Sequence, residues 1–512
     1  VKNRSLISTG STLGVLAAVA VLLSFVTMGT TDPAPGPSVN SGSDGTGTQP
    51  EDVSGTPTTL VTAGGDNSGA PTANGGKGGG QDISNVKGPD ADCAKGLNAG
   101  ATDVGVTGKS IKLASTIVTD GPGSSFLGPV RFGMNAVVNQ VNRSGGVCGR
   151  LLDLSLRNDS WVGTTGQRYI ENFVESDKVF ALAVVPSSEG LYQSDRYIRE
   201  QGVPVVGTDG MLIHQYRNPW IWPVATPTIS AMHIMAKNAY DRSMACQNCS
   251  HEFGIVFDAH YHFGVEGAFA FNQAIKRLTG KDIRGFDPEL KSCKGRFCGI
   301  QPNQSSYATD ASSFYDECGM GNKAVDTRCD FVAVLLEPET ALTWFSSGRT
   351  ANPLLDPSGF GAAQPLFNRQ FAEKCGQPCD GMWVWTGYQP PIERYANQPA
   401  TLQYVNDLRA EQPTVDATNQ FVEGGYIGMQ LLVKALTTAG SQLTRAHLKQ
   451  VLDSMEWDSG LAAPFAWKSG NHFSNTAARA FSIQYRQGFN GWRQQVDALI
   501  DPWVGQDDPN KN

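Results

Sequence analysis

The stretch "SIKLASTIVTDGPGSSFLGPVRFGMNAVVNQVN", residues 110–142, decides how the rest of the chain is read. Its first nine residues are an apolar run of strand length, and from Gly128 the apolar residues recur at helical spacing, up to a Gly145-Gly146 stop. Between them lies "DGPGSSFLG", a glycine-rich turn in the position of a phosphate loop. It fails both nucleotide tests. No G-K-[ST] supplies a lysine, and "GPGSSF" puts Phe126 where a dinucleotide loop needs its third glycine. Pro122 also removes one backbone N–H. What remains is a strand–turn–helix unit offering the hydroxyls of Ser124 and Ser125, the ring of Phe126 and the N–H groups of a helix start. That set suits a small polar ligand such as a carboxylate, and it equally suits a plain turn.

The same rhythm continues down the chain. "LLDLSLRND" (151–159), "VFALAVV" (179–185) and "VPVVG" (203–207) read as strands, with helical patterns at 164–176 and 194–202 between them. "NPWIWPVATPT" (218–228) reads as a break. Beyond it "EFGIVFD" (252–258), "CDFVAVLLE" (329–337) and "GMWVWTG" (381–387) are strand-like, alternating with helical stretches, and 420–440 is a long periodic helix. "FSIQYRQGFNGWRQ" (481–494) closes as a hairpin. Strands separated by helices imply βαβ units and mainly parallel sheets, and the length exceeds one doubly wound sheet. Two α/β lobes are expected. Residues 284–330 interrupt the pattern as a polar, cysteine-rich insertion.

Composition frames these lobes. Residues 1–28 pair Lys2 and Arg4 with the apolar run "LGVLAAVAVLLSFVTM", the layout of a signal peptide or an uncleaved membrane anchor, without a clear A-x-A site. Residues 29–91 contain no Phe, Trp or Tyr and read as a disordered Gly/Ser/Thr/Pro linker. Residues 501–512 read as a tail. An export signal places the protein outside the cytoplasm, at the cell surface or beyond it. The formal net charge of −8, without a basic run in the globular part, argues against a nucleic-acid partner.

All ten cysteines follow residue 92: Cys93, Cys148, Cys246, Cys249, Cys293, Cys298, Cys318, Cys329, Cys375 and Cys379. An even number in an exported chain reads as disulfides. The spacing suggests the local pairs 246–249, 293–298, 318–329 and 375–379, which leaves 93–148 as the long bridge. "CQNCSHEF" with His251, His260 and His262 nearby has half of a zinc pattern, but the second C-x₂-C is missing and the compartment is oxidising, so a bridge is the better reading. No metal or other cofactor is expected. No G-x-S-x-G, S-x-x-K or H-E-x-x-H is present, and no pair of carboxylates is spaced for acid–base work, so no residue is assigned a catalytic role.

Taken in order, six segments resemble the branched-chain amino-acid type of periplasmic solute-binding protein, the substrate-binding component of ABC transporters. They are 111–154, "VVPSSEGLYQSDRYIREQGVPVVG" (184–207), "FGIVFDAHYHFGVEGAFAFNQAIK" (253–276), "CDFVAVLLEPETALTWF" (329–345), "FVEGGYIGMQLLVKAL" (421–436) and the late "FAWKSGNHF…FSIQYRQGFNGW". The resemblance implies a type I fold: two doubly wound α/β lobes joined by a three-crossing hinge, with a ligand cleft between them. Lobe I would comprise 93–226 and 390–455, and lobe II 227–389 and 456–500.

By the same resemblance Phe126 lies in the first ligand loop, beside Ser124. Ser187, and less directly Ser188, match the serine that meets a ligand carboxylate, and Thr208 lies near a backbone-and-hydroxyl contact. Phe263 stands where an aromatic ring covers the ligand from lobe II, without the phenolic hydroxyl. Glu337 ends a strand where a polar contact is common, and His260 falls at a strand end facing the same space. Gly210 replaces a threonine of the carboxylate clamp, and Glu373 and Asp209 are the candidates for the acidic partner of an α-ammonium. The implied function is capture of a small polar solute (an amino acid, an amide or a related carboxylate) by a monomer, for the membrane subunits of an ABC importer. A sensor or interaction module of the same fold, and an exported hydrolase using the cleft, are the alternatives.

Overall fold

The computed structural model describes residues 90–283, 299–317, 329–351 and 357–509. The expected signal peptide or anchor, the linker up to residue 89, and Cys293, Cys298 and Cys318 lie outside the described residues. Five parallel strands form the first sheet: β1 (Ser110–Ile117), β2 (Leu151–Asn158), β3 (Ala181–Ala183), β4 (Val205–Thr208) and β5 (Ile221–Pro223), in the order β2-β1-β3-β4-β5. β5 corrects the break expected at 218–228. Three residues ending in proline carry too little periodicity to read as a strand, yet Ile221 and Trp222 are fully buried beside β4.

The second sheet holds β6 (Glu252–Phe257), β7 (Cys329–Leu335), β8 (Phe360–Ala362) and β9 (Trp383–Thr386) in parallel. After the short ribbon of β10 (Glu456–Trp457) and β11 (Phe465–Ala466), the chain adds the antiparallel pair β12 (Ala477–Tyr485) and β13 (Phe489–Ile500). The order is β13-β12-β9-β8-β7-β6. The insertion expected at 284–330 is in part regular structure. Ile300 bridges Asp258 in parallel at the free edge of β6, and Ala308–Glu317 is a helix whose Ala311 and Phe314 enter the core against Trp344. Only a few apolar residues mark that helix in an otherwise polar run, which hid it. The first sheet reverses strand order beside β1, and in the second the single Ile300 bridge lies on the side of β6 away from β7; α/β sheets bind ligands at the carboxyl ends beside such a reversal.

The helices seat by close backbone approach as well as by apolar burial. Val130–Arg143 buries Val130, Met134, Val137 and Val138, and crosses the long helix Gln420–Ala439 so closely that a Cβ on Gly133 would sit 2.0 Å from Val422 O. Asn419 caps that long helix by accepting from the backbone N–H groups of Phe421 and Val422. Further along, Gly428 faces Gly207, whose φ of +83° suits glycine.

The crossings between the sheets are laced together. The Thr226 hydroxyl donates to Ala477 O, and Arg479 Nη1 donates to the carbonyls of Gly387 (3.0 Å) and Tyr388. Just beyond the boundary expected at residue 390, residues 394 and 395 contact the second sheet. Tyr395 packs on Phe481 and Arg394 pairs with Asp497.

Both ends of the described chain depart from expectation. Asp90, placed in the linker, caps the helix Ala91–Ala94 by accepting from Cys93 N, and its carboxylate also accepts from the backbone and hydroxyl of Ser441. Residues 501–509, read as a tail, are fastened down: Asp501 and Asp507 bond opposite nitrogens of the buried His233, at 2.9 Å each. Cys93–Cys148, Cys246–Cys249 and Cys375–Cys379 are bridged, and Cys329 is disulfide-bonded as well.

Candidate functional site

The strand ends of the two sheets face one another. From the first come the turn after β1, Asp159–Trp161 after β2, Pro186–Ser188 after β3 and Asp209 after β4. From the second come Asp258–His262 after β6, Glu337 after β7, Gln364 after β8 and Tyr388 after β9. The two sets touch directly. Trp161 stacks on Tyr261 with ring centres 3.8 Å apart and planes 14° from parallel. His262 Nδ1 lies 2.5 Å from Glu189 Oε2, and the His262 N–H donates to Glu189 Oε1 at 3.0 Å. Asn368 Nδ2 donates to Ser125 O at 3.3 Å, Ile213 N to Glu266 Oε2 at 3.0 Å, and Gln420 Nε2 to Gln364 O. The cleft is closed on itself. A cavity lined by Asp209, Gln364, Tyr388, Gln420 and Phe421 has room for about one water.

The eight candidate ligand residues fall in four groups. Ser187, Ser188 and Thr208 are fully buried at strand ends of the first sheet. Ser187 precedes the helix Ser188–Gln201 beside the Asp159 carboxyl, Ser188 Oγ accepts from Trp161 Nε1 at 3.2 Å, and Thr208 donates to Gln215 Oε1 at 2.6 Å. Phe126 and Phe263 are also fully buried, spent on neighbouring rings. Phe126 meets Trp161 and Phe421 edge-on at 5.5 and 5.0 Å, and Phe263 lies 6.0 Å from Trp161. Glu337 accepts from the backbone N–H groups of Glu339 and Thr340, so it caps the helix Pro338–Ala351. Ser124 is half-buried in the short helix Ser124–Leu127, and His260 is exposed beside Tyr261. Of the two acidic candidates, Asp209 borders the cavity, whereas Glu373 pairs with Arg369 on an outer helix.

The residues that join the two sides were not among the candidates: Trp161, Glu189, Tyr261 and His262. Trp161 has no motif around it, but its backbone is unusual. Ser160 and Trp161 both adopt left-handed φ values, 53° and 60°, and Asp159 Oδ1 accepts from Trp161 N at 2.9 Å. Such a conformation in two consecutive non-glycine residues persists only where the surroundings hold it. Gly123 makes room for the indole, since a Cβ there would lie 2.8 Å from it. Tyr261 could have been found. It stands two residues before Phe263 in the same "HYHF", where the helix His262–Thr279 starts and the preceding residue projects into the cleft.

Carboxylates crowd this space. Burial raises Asp159 to about 6, against the Ser187 hydroxyl and the Trp161 N–H, which favour its charge. Burial likewise raises Asp209 to about 7 and Asp258 to about 7, and lifts Glu337 above its ordinary value and Glu423 well above it. Among the described residues Asp159, Asp258 and Glu337 have no ion-pair partner, and no cluster of three or more His, Cys, Asp or Glu side chains is arranged to hold a metal ion. Among the described residues no histidine bonds to Ser187 or Ser188.

Residues 110–488 match the family model described as periplasmic binding protein. No curated protein sequence matches the chain. Among solved structures, the fatty acid ABC transporter substrate-binding protein from Thermomonospora curvata superposes with a TM-score of 0.64 at 16% identity, over 78% of this chain and 95% of that one. A solute binding protein of an ABC transporter from R. palustris, in complex with 4-hydroxybenzoate, gives 0.61 at 13% identity, over 77% and 98%. A leucine binding protein from Thermotoga maritima gives 0.60 at 16% identity, over 77% and 99%.

Proposed function

The chain belongs to the periplasmic binding protein family, and on that premise we propose that it is an extracytoplasmic solute-binding protein. It captures a small polar solute between its lobes and delivers it to the membrane subunits of an ABC importer. The observation that carries this reading is the convergence of strand ends from two separately wound sheets on one cleft, closed by contacts that a hinge motion can break. The cavity at these strand ends has room for about one water, so binding there starts from an opened form in which Trp161 has left Tyr261.

The N-terminal apolar segment exports the chain and either is removed or stays as an anchor. No described helix is long and apolar enough to cross a membrane. The cleft binds rather than transforms its ligand: among the described residues no histidine pairs with its two buried serines, and the Glu337 carboxylate is held by a helix cap. Ser187, Ser188 and Thr208 supply hydroxyls from one lobe, and His260 and Glu337 supply polar groups from the other.

The test is a solute screen by thermal melting of the purified protein, followed by small-angle scattering with each hit. One class of small solute should raise the melting temperature by mass action and keep the protein compact. Melting that no solute of a broad panel alters would count against the reading. Uptake of the identified solute, lost when the gene for this chain is removed, would separate transport from sensing.

A further inference from the structure

The geometry points to a small organic cation as the solute, held with its charged nitrogen between the faces of Trp161 and Tyr261 and within reach of the Asp159 and Asp258 carboxylates. This inference rests on the solute-binding reading above and specifies its ligand.

Three independent features carry it. The first is the aromatic pair. Trp161 and Tyr261 are 3% and 6% exposed and come from opposite lobes, with their rings face to face. Opening the cleft bares two parallel π-faces, which attract a cation through the ring quadrupole and gain from excluding water around it. Phe263, near both rings, and Phe126, edge-on to Trp161, form the apolar backing.

The second feature is a charge imbalance around those rings. Asp159 immediately precedes the turn that presents Trp161, and Asp258 lies three residues before Tyr261. Burial, and then the charges of Asp258, Glu337 and Glu189, hold the Tyr261 phenol above its ordinary value. Glu189 is occupied by His262, and Glu337 by its helix cap.

The third is unspent acceptor capacity. Asp258 is fully buried. Its Oδ1 accepts from His260 N at 2.9 Å, while Oδ2 has no hydrogen-bond partner. Removing a carboxylate from water without a partner is costly. A ligand ammonium supplies the missing partner, whereas a ligand carboxylate would face the Asp159 and Asp258 carboxylates. The carboxylate binding expected for this cleft from its serines alone is therefore disfavoured by what surrounds them.

The decisive experiment uses the full chain and isothermal titration with matched probes: choline and its uncharged carbon isostere 3,3-dimethylbutan-1-ol, putrescine, arginine, and 4-hydroxybenzoate as an anion. At least one cation should bind and quench tryptophan fluorescence, and if it is choline it should bind at least tenfold more tightly than the isostere. Asp258→Asn should weaken cation binding about tenfold or more. Trp161→Ala should abolish it, whereas Trp161→Phe, which keeps a π-face, retains it in part. Circular dichroism and melting of the variants separate lost binding from lost folding. Binding of 4-hydroxybenzoate or the isostere in preference to every cation overturns the cation assignment and leaves the solute-binding function standing. A panel in which nothing binds overturns the cation assignment, and a broad neutral and anionic screen that is equally silent overturns the function as well.

Discussion

His262 Nδ1 meets Glu189 Oε2 at 2.5 Å, and with this contact the first turn of a helix from one lobe is tied to the first turn of a helix from the other. Tyr192 stacks on the same imidazole with centres 3.8 Å apart. Burial alone would lower the His262 pKa, yet the hydrogen bond and charge of Glu189 raise it above its ordinary value. The charged form is therefore the one the closed lobes favour. The latch is complete below the unperturbed histidine pKa, about 6.5, and is lost as pH rises through the elevated value. Part of the ring is open to solvent, so its worth is about 0.5–1 kcal/mol, a severalfold change in the ratio of closed to open forms. The radius of gyration of the ligand-free protein should increase between pH 6 and pH 9. Glu189→Gln should be more open at pH 6 and nearly flat with pH. A wild-type radius that does not change over that range would refute the latch.

His233 lies fully buried between two carboxylates from the end of the described chain, Asp501 and Asp507. Asp507 also takes a two-pronged contact from Arg277, and its neighbour Asp508 pairs with Arg217, which follows β4 on the first lobe. The segment is a strap across both lobes. Burial pushes the His233 pKa down, but its bonds to Asp501 and Asp507 carry it above the ordinary value. Its contribution is thus fully present below about pH 6.5 and declines as pH climbs through the raised pKa. Removing one partner of a buried charged group costs about 3–5 kcal/mol. His233→Ala should lose that much stability at pH 6 in urea denaturation, and clearly less at pH 9. Equal losses at both pH values would show that the ring acts by packing alone.

Legibility in the sequence followed the range of the interaction. β1, β2, β6, β7 and the long helix at 420–439 were readable because apolar spacing is local, and they sufficed to order two wound lobes. β5 and β8, three residues each, carry no period, and the helix at 308–317 buries too few residues to announce itself. The site was readable as a set of strand ends, since position after a strand is also local. Its closure was not. Trp161 meets Tyr261 across 100 residues, and His233 meets Asp507 across 274. Nothing near either partner specifies the other, so only the folded arrangement discloses them. Phe263 is singled out only through the family resemblance, whereas the ring that faces Trp161 most closely, Tyr261, sits two residues earlier, just before the helix.

The disulfides should differ widely in what they contribute. Cys93–Cys148 closes a separation of 55 residues, and Cys246–Cys249 one of 3. On the chain-entropy account these correspond to about 4 kcal/mol and about 1.5 kcal/mol. The paired substitution Cys93→Ser with Cys148→Ser should therefore lower the denaturation midpoint far more than Cys246→Ser with Cys249→Ser. The long bridge also pins the Ala91–Ala94 helix, where Asp90 reaches Ser441, so its loss should speed proteolysis at the start of the folded part. Similar midpoints for the two double variants would contradict this ranking.

Gly428 offers the sharpest test of how the long helix sits on the first sheet. A Cβ at Gly428 would lie 2.4 Å from Gly207 O and 2.8 Å from a Val184 methyl, and a Cβ at Gly207 would lie 2.4 Å from Gly428 Cα. Both obstacles include backbone, which cannot rotate aside as a side chain can. Alanine is the better helix former by about 1 kcal/mol, so propensity alone predicts a more stable protein. Overpacking against a rigid neighbour costs about 1–3 kcal/mol and should win. Gly428→Ala is expected to destabilise by up to about 2 kcal/mol net. Because the same helix begins at Gln420 on the cleft wall, the shift should also weaken solute binding. A Gly428→Ala protein that melts at or above the wild-type temperature would mean that the helix and β4 lie further apart than this geometry has them.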